Sequence, residues 1–180
     1  MSSKACMEIR KIKSCDREAF ENFNAAMLAD KENNPFVEWW DVSDFDEFVR
    51  QSDQSEVKLS NQTWPPFTRY FAFSSGQIAG LVICFWELDH PDCQTLGHFG
   101  YMVAPSFRRQ GLASRLFTFA LEHYHQLGAN QVFVATDEDN VASRGLIEKM
   151  GGQLLALETI PYHDKVLKSA RYSFDLNKRD

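Results

Sequence analysis

The stretch from His98 to Gly152 constrains the fold of this chain more than any other part of it. An apolar run typical of a strand leads into Arg108-Arg109-Gln110-Gly111-Leu112-Ala113, and an amphipathic helix pattern follows at once. Because Gly111 and Ala113 are small, the backbone there can approach a ligand closely. The first turn of a helix carries unpaired N–H groups and the positive end of the helix dipole, which suit a pyrophosphate. The pattern therefore predicts an anion-binding loop between a strand and a helix.

The segments after this loop alternate between helix and strand patterns. Apolar side chains recur at helical spacing from Leu112 to Leu127, and Gly128 is placed to end that helix. Gln131 to Thr136 predicts a strand. Asp137 to Asn140 then offers caps for another helix, which ends at Gly151.

Local patterns also divide the rest of the chain into elements, with polar or turn-forming residues between them. The segment Ile78 to Leu88 is apolar on both faces, which predicts a central strand of the sheet. The expected elements are a strand over Ala5 to Ile12, a helix from Ser14 or Asp16 to Asn33, a helix over about Ser43 to Gln51 capped by Ser43, a long loop over Gln51 to Pro66 that is either mobile or substrate-facing, strands over Arg69 to Ser74, Ile78 to Leu88 and Thr95 to Val103, a turn at Asp89 to Asp92, and a hairpin of Gln153 to Ile160 with Ser169 to Leu176.

Composition excludes several classes of protein. A chain of 180 residues with 44% apolar and 24% charged residues predicts one soluble globular domain. The net charge of −6 argues against nucleic-acid binding. No apolar run approaches the roughly 20 residues of a membrane helix, and the N-terminus has no apolar signal core, which predicts a cytoplasmic protein. Its four cysteines show no metal-ligand spacing, so we expect reduced thiols and no metal.

Four motifs in this order resemble the GNAT (GCN5-related N-acetyltransferase) superfamily. Arg108 to Ala113 fits Gln/Arg-x-x-Gly-x-Gly/Ala, and Asn140 to Ser143 fits Asn-x-x-Ala/Ser. Leu146 to Gly152 is similar to the closing x-Glu-Lys-x-Gly signature. Gly100 to Ser106 is similar to the GYxVxPS run of one bacterial subgroup of acetyltransferases. The motifs cover about the middle third of the chain.

The resemblance implies a fold and an activity. The fold would be one GNAT-like α/β (α+β) domain over residues 1–180, with a mixed, twisted sheet of six to seven strands and helices on both faces. Its acetyl-CoA-binding core would lie at about 95–152, where the fourth and fifth strands splay into a V-shaped cleft. The activity would be acetyl transfer from acetyl-CoA to a primary amine, by direct attack in a ternary complex. The rival interpretation is an acyl-CoA-binding or sensing module without catalysis.

The resemblance also assigns acetyl-CoA to particular residues. The Met102 and Val103 backbone would pair with pantetheine, and Asn140 and Ser143 would approach the same arm. Asn140 is equally a helix N-cap, and both roles can hold. The pyrophosphate would lie against Arg108, Arg109, Gln110, Gly111, Leu112, Ala113 and Ser114.

The general acid is where the sequence departs from the family. Many members place a tyrosine seven residues after the motif asparagine, and here that position is Ile147. Either the thiolate leaves without a proton donor, or another side chain replaces the tyrosine. Tyr101, Tyr162 and Tyr172 are the candidates.

His98 and Glu87 are the candidate general bases. His98 stands near the start of the fourth strand, about where some family members carry a catalytic glutamate, and an imidazole suits deprotonation of an amine. A histidine at a strand start can equally be a hydrogen-bonded structural residue. Glu87 follows the preceding strand and could equally be a solvated strand end.

The acceptor stays open at this point. Polyamines, aminoglycosides, amino acids, protein N-termini and lysine side chains are all compatible with the motifs, and so are longer acyl donors. Trp39, Trp40 or Trp64 could wall an acceptor pocket. An acyl-enzyme route is disfavoured because Cys84 and Cys93 have no evident partner histidine. Homodimers are common in the family, although the sequence carries no interface signature.

Overall fold

A computed structural model describes residues 7–162 and 164–178. Its strands are β1 (Met7–Arg10), β2 (Phe67–Ser74), β3 (Gln77–Phe85), β4 (Phe99–Val103), β5 (Gln131–Asp137), β6 (Gln153–Tyr162) and β7 (Lys165–Asp175). Its α-helices are α1 (Arg17–Lys31), α2 (Phe45–Gln54), α3 (Pro91–Leu96), α4 (Leu112–Gln126) and α5 (Val141–Lys149).

The strands form two hydrogen-bonded groups, in the order β1-β2-β3-β4 and β5-β7-β6, and all named pairs are antiparallel. The two groups are joined just before β4, where Gly97 forms an isolated bridge with Val134 in the middle of β5 and the His98 N–H donates to Phe133 O at 2.8 Å. The predicted fold class is confirmed, and the break in pairing falls where the resemblance places a splay.

Helices cover both faces of the four-stranded group. Phe20, Phe23 and Phe48, from α1 and α2, pack on one face in a core that includes Phe71 of β2. On the other face α4 buries the apolar stripe that its periodicity predicts, in a second core. β3 contributes buried residues to both cores, which confirms its central position.

Helix α2 differs from the prediction at both ends. Asp44 caps it by accepting a hydrogen bond of 3.0 Å from the Glu47 N–H, so the expected cap at Ser43 is wrong. The helix continues to Gln54, which shortens the expected loop. Ser and Asp are both good caps, and local sequence does not separate neighbouring candidates.

A short helix stands where a turn and the start of a strand were predicted. Pro91 opens α3, and the His90 ring accepts a hydrogen bond of 3.1 Å from the Asp92 N–H. Gly97 ends it with a φ of 98°. β4 therefore begins at Phe99 rather than at Thr95. A Pro-Asp pair signals a turn and a helix start equally well, which explains the error.

Within the described residues, no helix combines the length and the apolar character that crossing a membrane requires.

Candidate functional site

A cleft of about 710 Å³ opens where β4 separates from the β5–α5 segment. One wall is Tyr101–Val103 of β4, and the opposite wall is residues 139–143 with Leu146. The loop after β4 and the first turn of α4 close one end. Its lining also includes Met27, Asn34, Phe36 and Val37, from the end of α1 and the loop that follows.

His98 and Gly97 hold the point at which the two strands part. The His98 Nδ1 accepts a hydrogen bond of 2.8 Å from the Phe133 N–H, next to the backbone bond between the same residues. A Cβ on Gly97 would lie 2.9 Å from the Ala135 nitrogen, so this close approach requires glycine. The strands are therefore joined at this end and free to diverge beyond it.

The surroundings of His98 favour its structural interpretation over catalysis. The side chain is buried, and its Nε2 lies 2.8 Å from Leu88 O. Since Nδ1 accepts a hydrogen bond, the ring proton must be on Nε2, and neither nitrogen keeps a free lone pair. Burial lowers the pKa of His98, which favours this neutral form. The described lining of the cleft does not include His98.

Glu87 is also outside the described lining of the cleft. Its Oε2 lies 2.5 Å from the Lys58 Nζ, in a partly exposed ion pair beyond the end of β3. The carboxylate is therefore engaged with a lysine of the preceding loop, as the solvated strand-end interpretation expects.

The first turn of α4 is open at its N-terminal end. Gly111 begins the helix in the left-handed region, with a φ of 78°, and no side chain caps the turn. A Cβ placed on Gly111 would meet nothing within 4 Å. The N–H groups of Leu112 to Ser114, which line the cleft, are thus available to a bound anion.

The two arginines before this turn have different surroundings. Arg108 donates from Nε to Val103 O at 3.1 Å, and its Nη1 lies 3.1 Å from the Asp30 Oδ1 of α1. The same hydrogen-bonded pair lowers the pKa of Asp30. Arg109 is exposed at the cleft and forms no ion pair with any described residue. Arg109 therefore presents the uncompensated charge, whereas Arg108 joins the loop to α1.

Gln110 is the one predicted pyrophosphate residue outside the described lining. Its side chain folds back and donates from Nε2 to Ser106 O at 3.1 Å. It supports the shape of the loop from outside.

Asn140 and Ser143 lie at the start of α5, on the wall opposite β4. The Asn140 Oδ1 accepts a hydrogen bond of 3.2 Å from the Ser143 N–H, which confirms the N-cap role. The Ser143 Oγ is 2.9 Å from the Tyr101 hydroxyl, so this contact spans the cleft. The hydrogen bond thus joins the β4 wall to the α5 wall, the two walls between which the resemblance places the pantetheine arm.

Of the three tyrosines considered as proton donors, one lines the cleft and two lie outside its described lining. Tyr101 lines the cleft, and burial raises the pKa of its hydroxyl. Tyr172 is buried on β7, where its hydroxyl donates to the Glu148 Oε1 at 2.8 Å. Tyr162 is an exposed residue at the end of β6. Ile147, which replaces the usual tyrosine, is buried in the core.

The cysteines do not suit an acyl-enzyme route. Burial raises the pKa of the Cys84 and Cys93 thiols to about 12, so both stay protonated at neutral pH. Cys15 is exposed, and Cys6 lies outside the described residues. Across residues 7–162 and 164–178, no three His, Cys, Asp or Glu side chains gather in a way that could hold a metal.

Sequence reasoning missed the contribution of α1 and the loop after it. Asp30, which pairs with Arg108, and the apolar residues Met27 and Val37 carry no local signal of a site. Their role depends on how α1 packs against the sheet.

Comparisons with known proteins agree with this geometry. The sequence profile of the Acetyltransferase (GNAT) family matches residues 26–152. N-alpha-acetyltransferase 30 of Schizosaccharomyces pombe is 27% identical over 89 residues, which cover 49% of this chain and 58% of that protein. The chain thus spans little more than half the length of this relative.

Two solved structures share the fold over nearly the whole chain. An N-acetyltransferase from Staphylococcus aureus Mu50 superposes with a TM-score of 0.67 at 22% identity, covering 96% of this chain and 99% of that one. Spermidine N-acetyltransferase from Vibrio cholerae, in complex with CoA and spermine, gives 0.66 at 15% identity and 96% coverage of both. These structures agree in fold, and the profile match over residues 26–152 shows that this chain belongs to the Acetyltransferase (GNAT) family.

Proposed function

We propose that the protein transfers an acetyl group from acetyl-CoA to a primary amine by direct attack in a ternary complex. The observation that carries this proposal is the cleft, which joins an uncapped helix N-terminus to the open edge of β4. Its volume falls in the range of about 300–1,000 Å³ that is usual for ligand sites.

Acetyl-CoA would bind along this cleft. Its pyrophosphate would accept hydrogen bonds from the first turn of α4, beside the charge of Arg109. The pantetheine arm would extend between the Met102–Val103 backbone and Asn140. This placement uses polar groups of both walls, which supports a ligand with amides along its length.

The transfer needs a nucleophile and a place for one proton. The neutral amine nitrogen would attack the thioester carbonyl, the C–N bond would form and the C–S bond would break. The departing CoA thiolate would take a proton from a donor, and the proton lost by the nitrogen would return to that donor through solvent. Tyr101 is the proposed proton donor, because its hydroxyl lies in the cleft and its raised pKa keeps it protonated at neutral pH. Ser143 would orient that hydroxyl.

Deprotonation of the amine is assigned to solvent. His98 has no free lone pair and Glu87 is paired with Lys58, so neither is free to act as base in this arrangement. The rate should then rise with pH in step with the fraction of neutral amine, and its midpoint should differ from one acceptor to the next.

Thiol release against a panel of amines tests the proposal. Arg109→Ala should raise the KM for acetyl-CoA roughly five- to tenfold, as loss of one partly exposed charge contact implies. The control is Arg115→Ala, an arginine in the first turn of α4 outside the described lining, which should change it little. Tyr101→Phe should lower kcat with little change in that KM.

Two results would overturn the proposal. Tight binding of acetyl-CoA without turnover of any amine would establish the sensing module instead. Absence of binding would refute the assignment of the cleft itself.

A homodimer stays a prediction. β6 is the outer strand of the three-stranded group and exposes apolar side chains at Leu154, Leu155 and Leu157. Sedimentation equilibrium of wild type and of Leu157→Glu would show whether this surface joins two copies.

A further inference from the structure

Arg69 lies on the face of the sheet next to the open part of β4. It pairs across the strands with Ile83 of β3, and Ile83 pairs with Gly100 of β4. Residues paired in this way point to the same side of a sheet. A Cβ on Gly100 would meet nothing within 4 Å, so this row has free space at β4, one residue before Tyr101, which lines the cleft.

The guanidinium of Arg69 sits among aromatic rings. Its Cζ lies 4.8 Å from the centre of Phe67, 5.1 Å from Phe48 and 5.2 Å from Trp40. Trp40 is 45% exposed, so this cluster reaches the surface. Stacking on rings stabilises a cation partly, but it leaves the N–H groups in the plane of the guanidinium unused.

No carboxylate compensates this charge in the part of the chain that the structure describes. Nη1 makes a hydrogen bond of 3.3 Å to the Ser52 Oγ, and the buried Nε has no partner among the described residues. Burial lowers the pKa of Arg69 to about 10, so the group remains charged at neutral pH. A charge that is removed from water without a partner is costly, and proteins seldom keep one without a use.

We propose that Arg69 binds a carboxylate of the acceptor, and therefore that the acceptor is a small amine that also carries a carboxylate. The planar fork of a guanidinium matches the two oxygens of a carboxylate. Two interstrand spacings, roughly 10 Å, separate Arg69 from β4, where the amine would meet the thioester. This inference rests on the proposed acetyl transfer, and it disfavours polyamines, which would bring further positive charge to Arg69.

Matched acceptors that differ only in the carboxylate test it. Pairs such as lysine and cadaverine, 4-aminobutyrate and propylamine, or a dipeptide and its amide are compared by kcat/KM in wild type and Arg69→Met. Wild type should prefer the carboxylated member, and Arg69→Met should remove that preference, a change of roughly ten- to a hundredfold. The substitution should change little in kcat/KM for the member of each pair that lacks the carboxylate, or in the KM for acetyl-CoA.

Stability supplies an independent readout. Because Arg69 is unpaired without substrate, Arg69→Met should unfold at a temperature equal to or above that of wild type. The control Arg50→Met removes an exposed arginine of α2 that pairs with Glu47, and it should leave acceptor preference unchanged. If Arg69→Met does not fold, Arg69→Lys keeps the charge, loses the planar fork and should still weaken the preference.

Binding separates failure of this inference from failure of acetyl transfer. Trp40 is close enough to Arg69 for its fluorescence to report binding of 4-aminobutyrate, whether or not acetylation occurs. A saturable signal in wild type that is lost in Arg69→Met supports the carboxylate site even if no amine is acetylated. Equal turnover of both members of each pair, or no difference between wild type and Arg69→Met in binding, overturns it.

Discussion

Replacement of His98 by alanine separates its structural role from a catalytic one. In the wild type its ring accepts from the Phe133 N–H and donates to Leu88 O, both at 2.8 Å. The Leu88 carbonyl would keep a second bond of 2.8 Å from the Gln94 side chain, so the group left unpaired is the Phe133 N–H. An unpaired buried donor costs about 1–3 kcal/mol and the lost Leu88 bond about 1 kcal/mol. We expect His98→Ala to lower the free energy of unfolding by about 2–4 kcal/mol.

Urea unfolding followed by fluorescence measures this loss, with His125→Ala as the matched control. His125 is exposed in the last turn of α4, so its replacement should change stability by less than about 0.5 kcal/mol. Because His98 holds the point at which β4 and β5 part, its loss should also weaken acetyl-CoA binding.

Kinetics then distinguish the two roles. A general base contributes about 10²- to 10⁴-fold to the rate, and its removal changes the pH profile. For a structural His98, the folded fraction of the variant should keep the pH dependence of kcat/KM. A variant as stable as wild type, with a large loss of kcat that high pH restores, would refute the structural role.

Three further results are expected. Burial lowers the pKa of His98, so between that lowered pKa and about 6.5 the unfolded chain binds more protons than the folded one. The contribution of His98 to the free energy of unfolding should therefore be complete above about pH 6.5 and fall as the pH drops through this window. Urea midpoints measured across the window should depend less on pH in His98→Ala than in wild type. Gly80→Ala would place a Cβ 2.5 Å from a backbone carbonyl of β4, so it should lower the free energy of unfolding by about 1–3 kcal/mol and lower the melting temperature accordingly. Gly100→Ala has free space around its Cβ and should leave the melting temperature unchanged. Cys84→Ala and Cys93→Ala should keep the turnover of the folded enzyme, because thiols with a pKa of about 12 supply almost no thiolate at neutral pH; loss of turnover in a folded variant would revive the acyl-enzyme route.

The parts of the fold that sequence predicts well are those specified by neighbouring residues. Each of these features is formed by residues only a few positions apart: the apolar stripe of α4, the cap at Asn140, and the glycine before the first turn of α4. Since hydrophobic spacing and capping are local, their patterns predict the elements from β5 to α5 to within a residue or two.

The site chemistry depends instead on contacts between distant residues. His98 meets Phe133 across 35 positions, and Arg108 meets Asp30 across 78. A histidine before a strand reads as a candidate base until the structure shows that backbone groups occupy both nitrogens. No local sequence pattern predicts which residue of a distant element will be the hydrogen-bond partner of a given side chain.

The same dependence decides what each arginine near β4 can do. Arg108 forms an ion pair with Asp30, so its charge is neutralised within the fold and the pair holds the loop against α1. Arg109 and Arg69 have no acidic partner among the described residues. Arg109 lies at the N-terminus of α4, and Arg69 lies on β2, two strands from the opposite end of β4. In a chain with a net charge of −6, acidic side chains are plentiful, so the proposals assign both unpaired cations to anionic groups of the substrates. In the proposed arrangement, pyrophosphate would satisfy Arg109 and a carboxylate on the acceptor would satisfy Arg69. Substituting each arginine should therefore affect a different substrate, Arg109 the KM for acetyl-CoA and Arg69 the choice of amine.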